Sequence, residues 1–160
     1  MLHVGLLSIA LLLPAALMGQ GSQNADRQAI RGVTDGFMDA WNRHDAKAFA
    51  ALFSEDADFT NVRGAGASGR AEIEKFHAPL FATIFKDTKQ KHTYVTIRFI
   101  RPDVAAVDVR WEMTGVEDPA GNPLPVRHGL LNFTMAKDQG KWQIVVMHNM
   151  DLAAPPPAPK

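Results

Sequence analysis

Histidines and amides on two alternating stretches are the side chains here best suited to chemistry, and the pairing of those stretches decides which can act together. Arg127–Lys137 and Lys141–Met150 alternate as two strands joined by Asp138-Gln139-Gly140, with glycine where a three-residue hairpin needs a left-handed residue. Pairing Lys137 with Lys141 sets Leu130 opposite His148 and makes His128 and Asn132 its diagonal neighbours on one face. Two imidazoles and an amide walled by Trp142, Ile144, Val146 and Leu130 form a ligand-binding floor, and His148 is the first candidate for acid-base catalysis. The alternative is a core histidine satisfied by one backbone partner. His77 is the second catalytic candidate, turned inward by helical spacing. Its alternative is an imidazole bonded to a carbonyl that Pro79 frees.

Other chemistries are narrowed by what the chain lacks. His77, His92, His128 and His148 lie on separate elements without HxH, HExxH or paired carboxylates, so no metal site is expected. Asp108, Arg110 and Glu112 share one strand face, as an acid-base set or as a solvated surface. There is no GxSxG, Walker or dinucleotide fingerprint, and the small residues of Gly64-Ala65-Gly66-Ala67-Ser68-Gly69 include no P-loop lysine, so no cofactor is expected. Absence of cysteine excludes disulfides, thiolate ligands and cysteine nucleophiles. Seventeen basic residues balance seventeen acidic ones with no basic cluster, so nucleic acid is not an expected partner.

The elements that must position these residues are organised around Phe37–Gly64. Phe37, Trp41, Phe49, Leu52, Phe53 and Phe59 fall at spacings that let a helix end, a short helix opened by Asp45 and a strand over Asp56–Val62 face one interior. The first helix is expected to begin at Asn24 or Asp26, either of which can cap it. Gly32, Gly36 and Ala40 give it a second face of small residues, which a crossing helix or a partner subunit would cover. A third helix opens at Ser68-Gly69 and carries Ile73, Phe76, His77, Leu80, Phe81 and Ile84, with a kink or break near His77 imposed by Pro79.

Beyond Lys91 the period becomes that of strands. A three-residue loop at Arg101-Pro102-Asp103 pairs Ile97 with Val107 and Val95 with Val109, and also sets Tyr94 opposite Arg110 and His92 opposite Glu112. Gly115–Val126, rich in proline and glycine, rims a site. The last two strands are apolar on both faces and are expected to be central and covered on both sides.

Val4–Leu17 is an uncharged apolar run too short to span a bilayer comfortably, and it ends in Gly19-Gln20-Gly21. Residues 1–21 read as a signal peptide, with processing near Gln20 to Ser22 and a periplasmic or secreted product; a retained anchor is the alternative. Residues 153–160 form an extended proline-rich tail.

Ala40-Trp41-Asn42-Arg43-His44-Asp45, Leu52–Phe59, Gly69–Ile73 with His77, and Trp142–Asn149, in that order, resemble the SnoaL-like group of the nuclear transport factor two-like superfamily, and within it the SgcJ/EcaC type. The resemblance covers Asp26–Met150 and assigns residues 22–152 to such a domain. It implies an α+β cone: three N-terminal helices packed on a curved, mostly antiparallel sheet around a pocket, as a homodimer. It also implies that the general base of ketosteroid isomerase relatives falls at Asn61 and their oxyanion tyrosine at Phe37, where neither residue can do that work. The expected function is binding of a small apolar molecule, lined by Trp41, Asn61, His77, Trp111, His128, Asn132 and His148, with no membrane contact after processing. The alternatives are a cofactor-independent isomerase, cyclase or dehydratase using a pocket histidine, and a structural dimerisation module with a filled core.

Overall fold

The computed structural model describes residues 15–153, with side chains from Gly21 onward. Residues 1–14 of the signal peptide read over 1–21, and all but the first residue of the tail read over 153–160, fall outside that range. Three helices and six strands follow as α1 (Ala15–Asn42), α2 (Ala46–Ala50), β1 (Phe53–Thr60), β2 (Gly66–Ser68), α3 (Arg70–Ala82), β3 (Lys89–Arg101), β4 (Val104–Thr114), β5 (Arg127–Asp138) and β6 (Lys141–Asp151). The strands form one curved sheet in the order β2-β1-β6-β5-β4-β3, in which only β1 and β6 run parallel. This is the expected α+β architecture, with a sheet that stays open at β2 and β3 rather than closing into a barrel.

The helices follow the apolar spacing, with three departures. α1 is already helical at Ala15, ahead of Asn24 and Asp26, in keeping with the good helix formers Ala15, Ala16, Leu17 and Met18, and the Asp26 carboxylate is used elsewhere. It accepts hydrogen bonds from Lys137 Nζ at 2.6 Å and Trp142 Nε1 at 2.9 Å, which tie α1 to the β5–β6 hairpin. At Gly36, the small-residue face of α1 is met by Leu52 of the same chain, not by a crossing helix. α3 runs through Pro79 to Ala82, so of the kink or break expected near His77 the break does not occur. Asp45 does cap α2, accepting from Ala48 N at 2.9 Å.

β1 starts at Phe53 and ends at Thr60, three residues ahead of the expected start, since Phe53 pairs with Ile144. Asn61 terminates it, its Oδ1 accepting from the backbone N–H groups of Arg63 and Ala65 at 2.8 and 3.0 Å.

In β3–β4 the expected pairs Ile97–Val107, Val95–Val109 and Tyr94–Arg110 are present, although the loop is a two-residue turn, Arg101 facing Val104, compensated by a bulge at Ile100. A second bulge at Thr93 changes what lies beyond: His92 pairs with Trp111, and Glu112 faces Lys91 in place of His92. The β5–β6 turn is likewise tighter than expected. Gln139 and Gly140 both have positive φ, 47° and 83°, the signature of a two-residue primed turn, and Lys141 faces Asp138 rather than Lys137. A bulge at Val145 then brings His148 opposite Asn132 and Met150 opposite Leu130.

The core lies between the helices and one face of the sheet, where Phe37, Phe49, Phe53, Val107, Val109, Leu131, Phe133, Met135 and Ile144 are fully buried. β5 and β6 are central, as expected, but among the described residues no element covers their outer face. Leu130, Asn132, Thr134, Val145 and Val146 are only half-buried there.

Candidate functional site

A cavity of about 1140 Å³ opens between α3, the inner face of the sheet and the loop after β4. Its walls are largely aromatic and aliphatic: Phe37 and Trp41 from α1, Phe49 from α2, Phe59 from β1, Phe76 and Leu80 from α3, Trp111 and Met113 from β4, and Leu131 and Met147 from the last hairpin. The loop expected to rim a site does so through Val116, Glu117, Asp118, Pro119 and Leu124. Asp118 shapes it by accepting from the N–H groups of Ala120 and Asn122 and from Asn122 Nδ2, all at 2.9 Å. The Asn122 amide holds the Asp118 carboxyl below its usual range.

Of the residues singled out from the sequence, Trp41, Asn61, His77 and Trp111 line this cavity. His128, Asn132 and His148 share a face with one another, but it is the outer face of the sheet. Asn132 donates to Asp108 at 2.6 Å, His128 lies 3.8 Å from Glu112, and His148 is exposed. Asp108, Arg110 and Glu112 are on that face too, with Lys91 Nζ 2.7 Å from Glu112. Strand alternation put the three cluster residues together correctly. His128 and Asn132 face outward through the unbroken alternation of β5, opposite to Leu131 and Phe133, and the Val145 bulge turns His148 to join them, because one extra residue reverses every β6 side chain beyond it.

His77 is the polar group of the cavity wall best placed for chemistry. It is 3 % exposed and ringed by Phe49, Phe59, Phe76 and Phe81 at centroid separations of 4.3, 4.6, 5.2 and 5.7 Å. Its Nδ1 lies 2.8 Å from the carbonyl of Ile73, four residues earlier and not the Lys75 carbonyl that Pro79 frees. A carbonyl only accepts, so Nδ1 carries the proton and Nε2 holds a bare lone pair. Burial lowers the pKa to about 4, against the opposing pull of the Ile73 carbonyl. The ring is therefore a neutral acceptor at physiological pH.

Trp111 makes the opposite wall through a contact that only glycine allows. Its indole lies across Gly129, where a Cβ would fall inside the ring, and reaches β6 to donate from Nε1 to Asn149 Oδ1 at 3.0 Å. Arg127 sits over the same indole at 5.8 Å and pairs with Asp151 at 2.7 Å. Arg127, Asn149 and Asp151 all line the cavity, yet the uncorrected alternation of Lys141–Met150 assigns Asn149 to the other face.

The Trp41-Asn42-Arg43-His44-Asp45 stretch has a positioning role. Trp41 Nε1 donates to Thr88 Oγ1 at 3.2 Å, and His44 Nε2 lies 3.1 Å from the Thr88 carbonyl. Asn42 takes the place of a neighbouring strand on the free edge of β3: its Oδ1 accepts from Gln90 N at 2.7 Å and its Nδ2 donates to Gln90 O at 2.8 Å.

The SnoaL-like domain model matches residues 34–145. Among solved structures, an uncharacterized protein with a cystatin-like fold from Caulobacter vibrioides is 29 % identical, covers 79 % of this chain and 89 % of its own, and superposes with a TM-score of 0.73. A domain of unknown function with the same fold from Nostoc punctiforme is 31 % identical over 81 % of this chain and 79 % of its own, with a TM-score of 0.72. The hexachlorocyclohexane dehydrochlorinase LinA-type3 from Novosphingobium barchaimii shares the fold at a TM-score of 0.76 and 14 % identity, over 88 % of this chain and 96 % of its own. Among curated proteins none matches.

Proposed function

Because the chain belongs to the SnoaL-like domain family, we propose that it binds a small, largely apolar molecule in the cavity between α3 and the inner sheet face. The observation that carries this reading is the cavity itself: about 1140 Å³, walled mainly by apolar rings, with one neutral imidazole in the wall. A module with a filled core has no use for such a space, since protein interiors otherwise pack as densely as organic crystals. Calorimetric titration with the bicyclic hydrocarbon tetralin tests it. Saturable binding of one molecule per chain with a negative heat-capacity change is expected, and Met113→Trp, which fills the cavity from β4, abolishes it. Absence of any binding by the folded parent rejects the reading.

Catalysis without a cofactor, of the isomerase, cyclase or dehydratase kind, is a second reading that one observation favours. The Nε2 lone pair of His77 makes no hydrogen bond with the described residues and belongs to the cavity wall, as a general base requires. His148, exposed on the outer face, has no part in this version. The proposal also takes the protein as exported, on the apolar run ending in Gly19-Gln20-Gly21. Intact-mass measurement giving a mature chain that begins between Gln20 and Ser22 supports export; full-length chain in the membrane fraction refutes it.

A further inference from the structure

The cavity wall contains a second polar side chain that no internal contact explains. Gln90 lines the cavity at 4 % exposure, and its Oε1 is sealed from solvent without a hydrogen-bond partner. Buried amides are normally paired. The segment carrying it is firmly held: Asn42 bonds both backbone groups of Gln90, while Trp41 and His44 bond Thr88 two residues earlier. The unpaired amide is thus presented by a fixed backbone. The next inward side chain on β3, His92, also has two unpartnered ring nitrogens, but it does not line the cavity. Mutual pairing of Gln90 and His92 is the competing account of both.

We infer that Gln90 is a ligand-binding residue that determines specificity. With His77 it makes two uncharged polar anchors in an apolar chamber. His77 Nε2 only accepts, so the occupant offers it a hydroxyl or N–H. A carboxamide donates through nitrogen and accepts through oxygen, and a half-turn exchanges the two. Gln90 therefore takes a carbonyl or a hydroxyl group. The ligand class is an uncharged, ring-sized molecule carrying both a donor and an oxygen acceptor. This inference rests on the reading of the cavity as a binding site.

Calorimetry with tetralin, 1-tetralone and 5-hydroxy-1-tetralone tests it on one ring skeleton. In the parent each added polar group tightens binding by about 3- to 10-fold, the usual net value of a neutral hydrogen bond. Gln90→Met removes the advantage of the ketone over tetralin. A measurement needing no variant accompanies it: the side-chain N–H resonances of Gln90 shift when 1-tetralone binds and stay in place with tetralin. Equal affinities for the three probes in the parent, or the same ketone advantage in parent and Gln90→Met, overturn the role of Gln90 and leave the binding pocket standing. Binding of none of the three overturns both.

Discussion

His77 ties part of the acid response of this protein to a buried ring, and His92, whose pKa burial also lowers, acts in the same direction. The folded pKa of His77, about 4, is below the ordinary histidine value of 6.5, so between those pH values the unfolded chain binds the extra proton. Stability therefore falls as pH drops through that window, by on the order of 3 kcal/mol when pH 4 is reached. Urea denaturation at pH 7 and pH 4.5 should show a smaller loss in His77→Phe than in the parent; an equal loss in both places the acid sensitivity elsewhere. Gly129 sets a second constraint at this scale. Gly129→Ala drives a methyl group into the Trp111 indole and should cost about 2–3 kcal/mol. Thermal unfolding reads that cost, and tetralin affinity should fall with it because a cavity wall is displaced. A third expectation concerns Asn61 and Phe37, both in the cavity wall. Neither an amide nor a phenyl ring supplies a base or an oxyanion donor, so the parent should not shift the double bond of a ketosteroid. Asn61→Asp with Phe37→Tyr is the smallest change that creates the activity, and ultraviolet absorbance follows it. General-base catalysis supplies about 10² to 10⁴-fold, and an oxyanion donor a similar order. Turnover by the parent, undiminished in Asn61→Ala, would show that other residues do the work.

At the scale of elements, the link between α1 and β3 is carried by Asn42 acting as a surrogate strand. An edge strand leaves one row of backbone groups unpaired, and here a single side chain satisfies both groups of Gln90. Asn42→Ala should lower stability by about 2–3 kcal/mol, the order expected when buried groups lose their partners. Hydrogen exchange at the Gln90 amide should accelerate more than at Val107 in the middle of β4. Uniform acceleration across the sheet would mean that Asn42 acts on global stability alone.

For the molecule as a whole, the outer sheet face is the open question, and we propose that a second copy covers it. The central strands carry half-buried Leu130, Val145 and Val146 there, beside Tyr94 at 60 % and Met150 at 41 % exposure. Apolar groups on the uncovered side of a central hairpin gain about 25 cal/mol for each Å² removed from water. Light scattering of the mature protein at micromolar concentration should give twice the chain mass, and Leu130→Glu should give the single-chain mass. A monomeric parent refutes the dimer.

Much of this was legible in the amino-acid order because it depends on local periodicity. The apolar spacing from Ile30 to Trp41, the capping aspartate of α2 and the alternation around Val95–Phe99 and Val107–Met113 each follow from near neighbours, and together with the ordered motifs they determined the α+β fold. Inward placement of Trp41, His77 and Trp111 was legible for the same reason. What only the tertiary structure decided is which face each strand end shows. A bulge at Thr93 turns Gln90 and His92 inward, and another at Val145 turns His148 out and Asn149 in. Strand alternation has a period of two, so one extra residue reverses all that follow. Whether a strand bulges depends on how its neighbours pack on both sides, as β1 and β5 do around β6, and that information is not local.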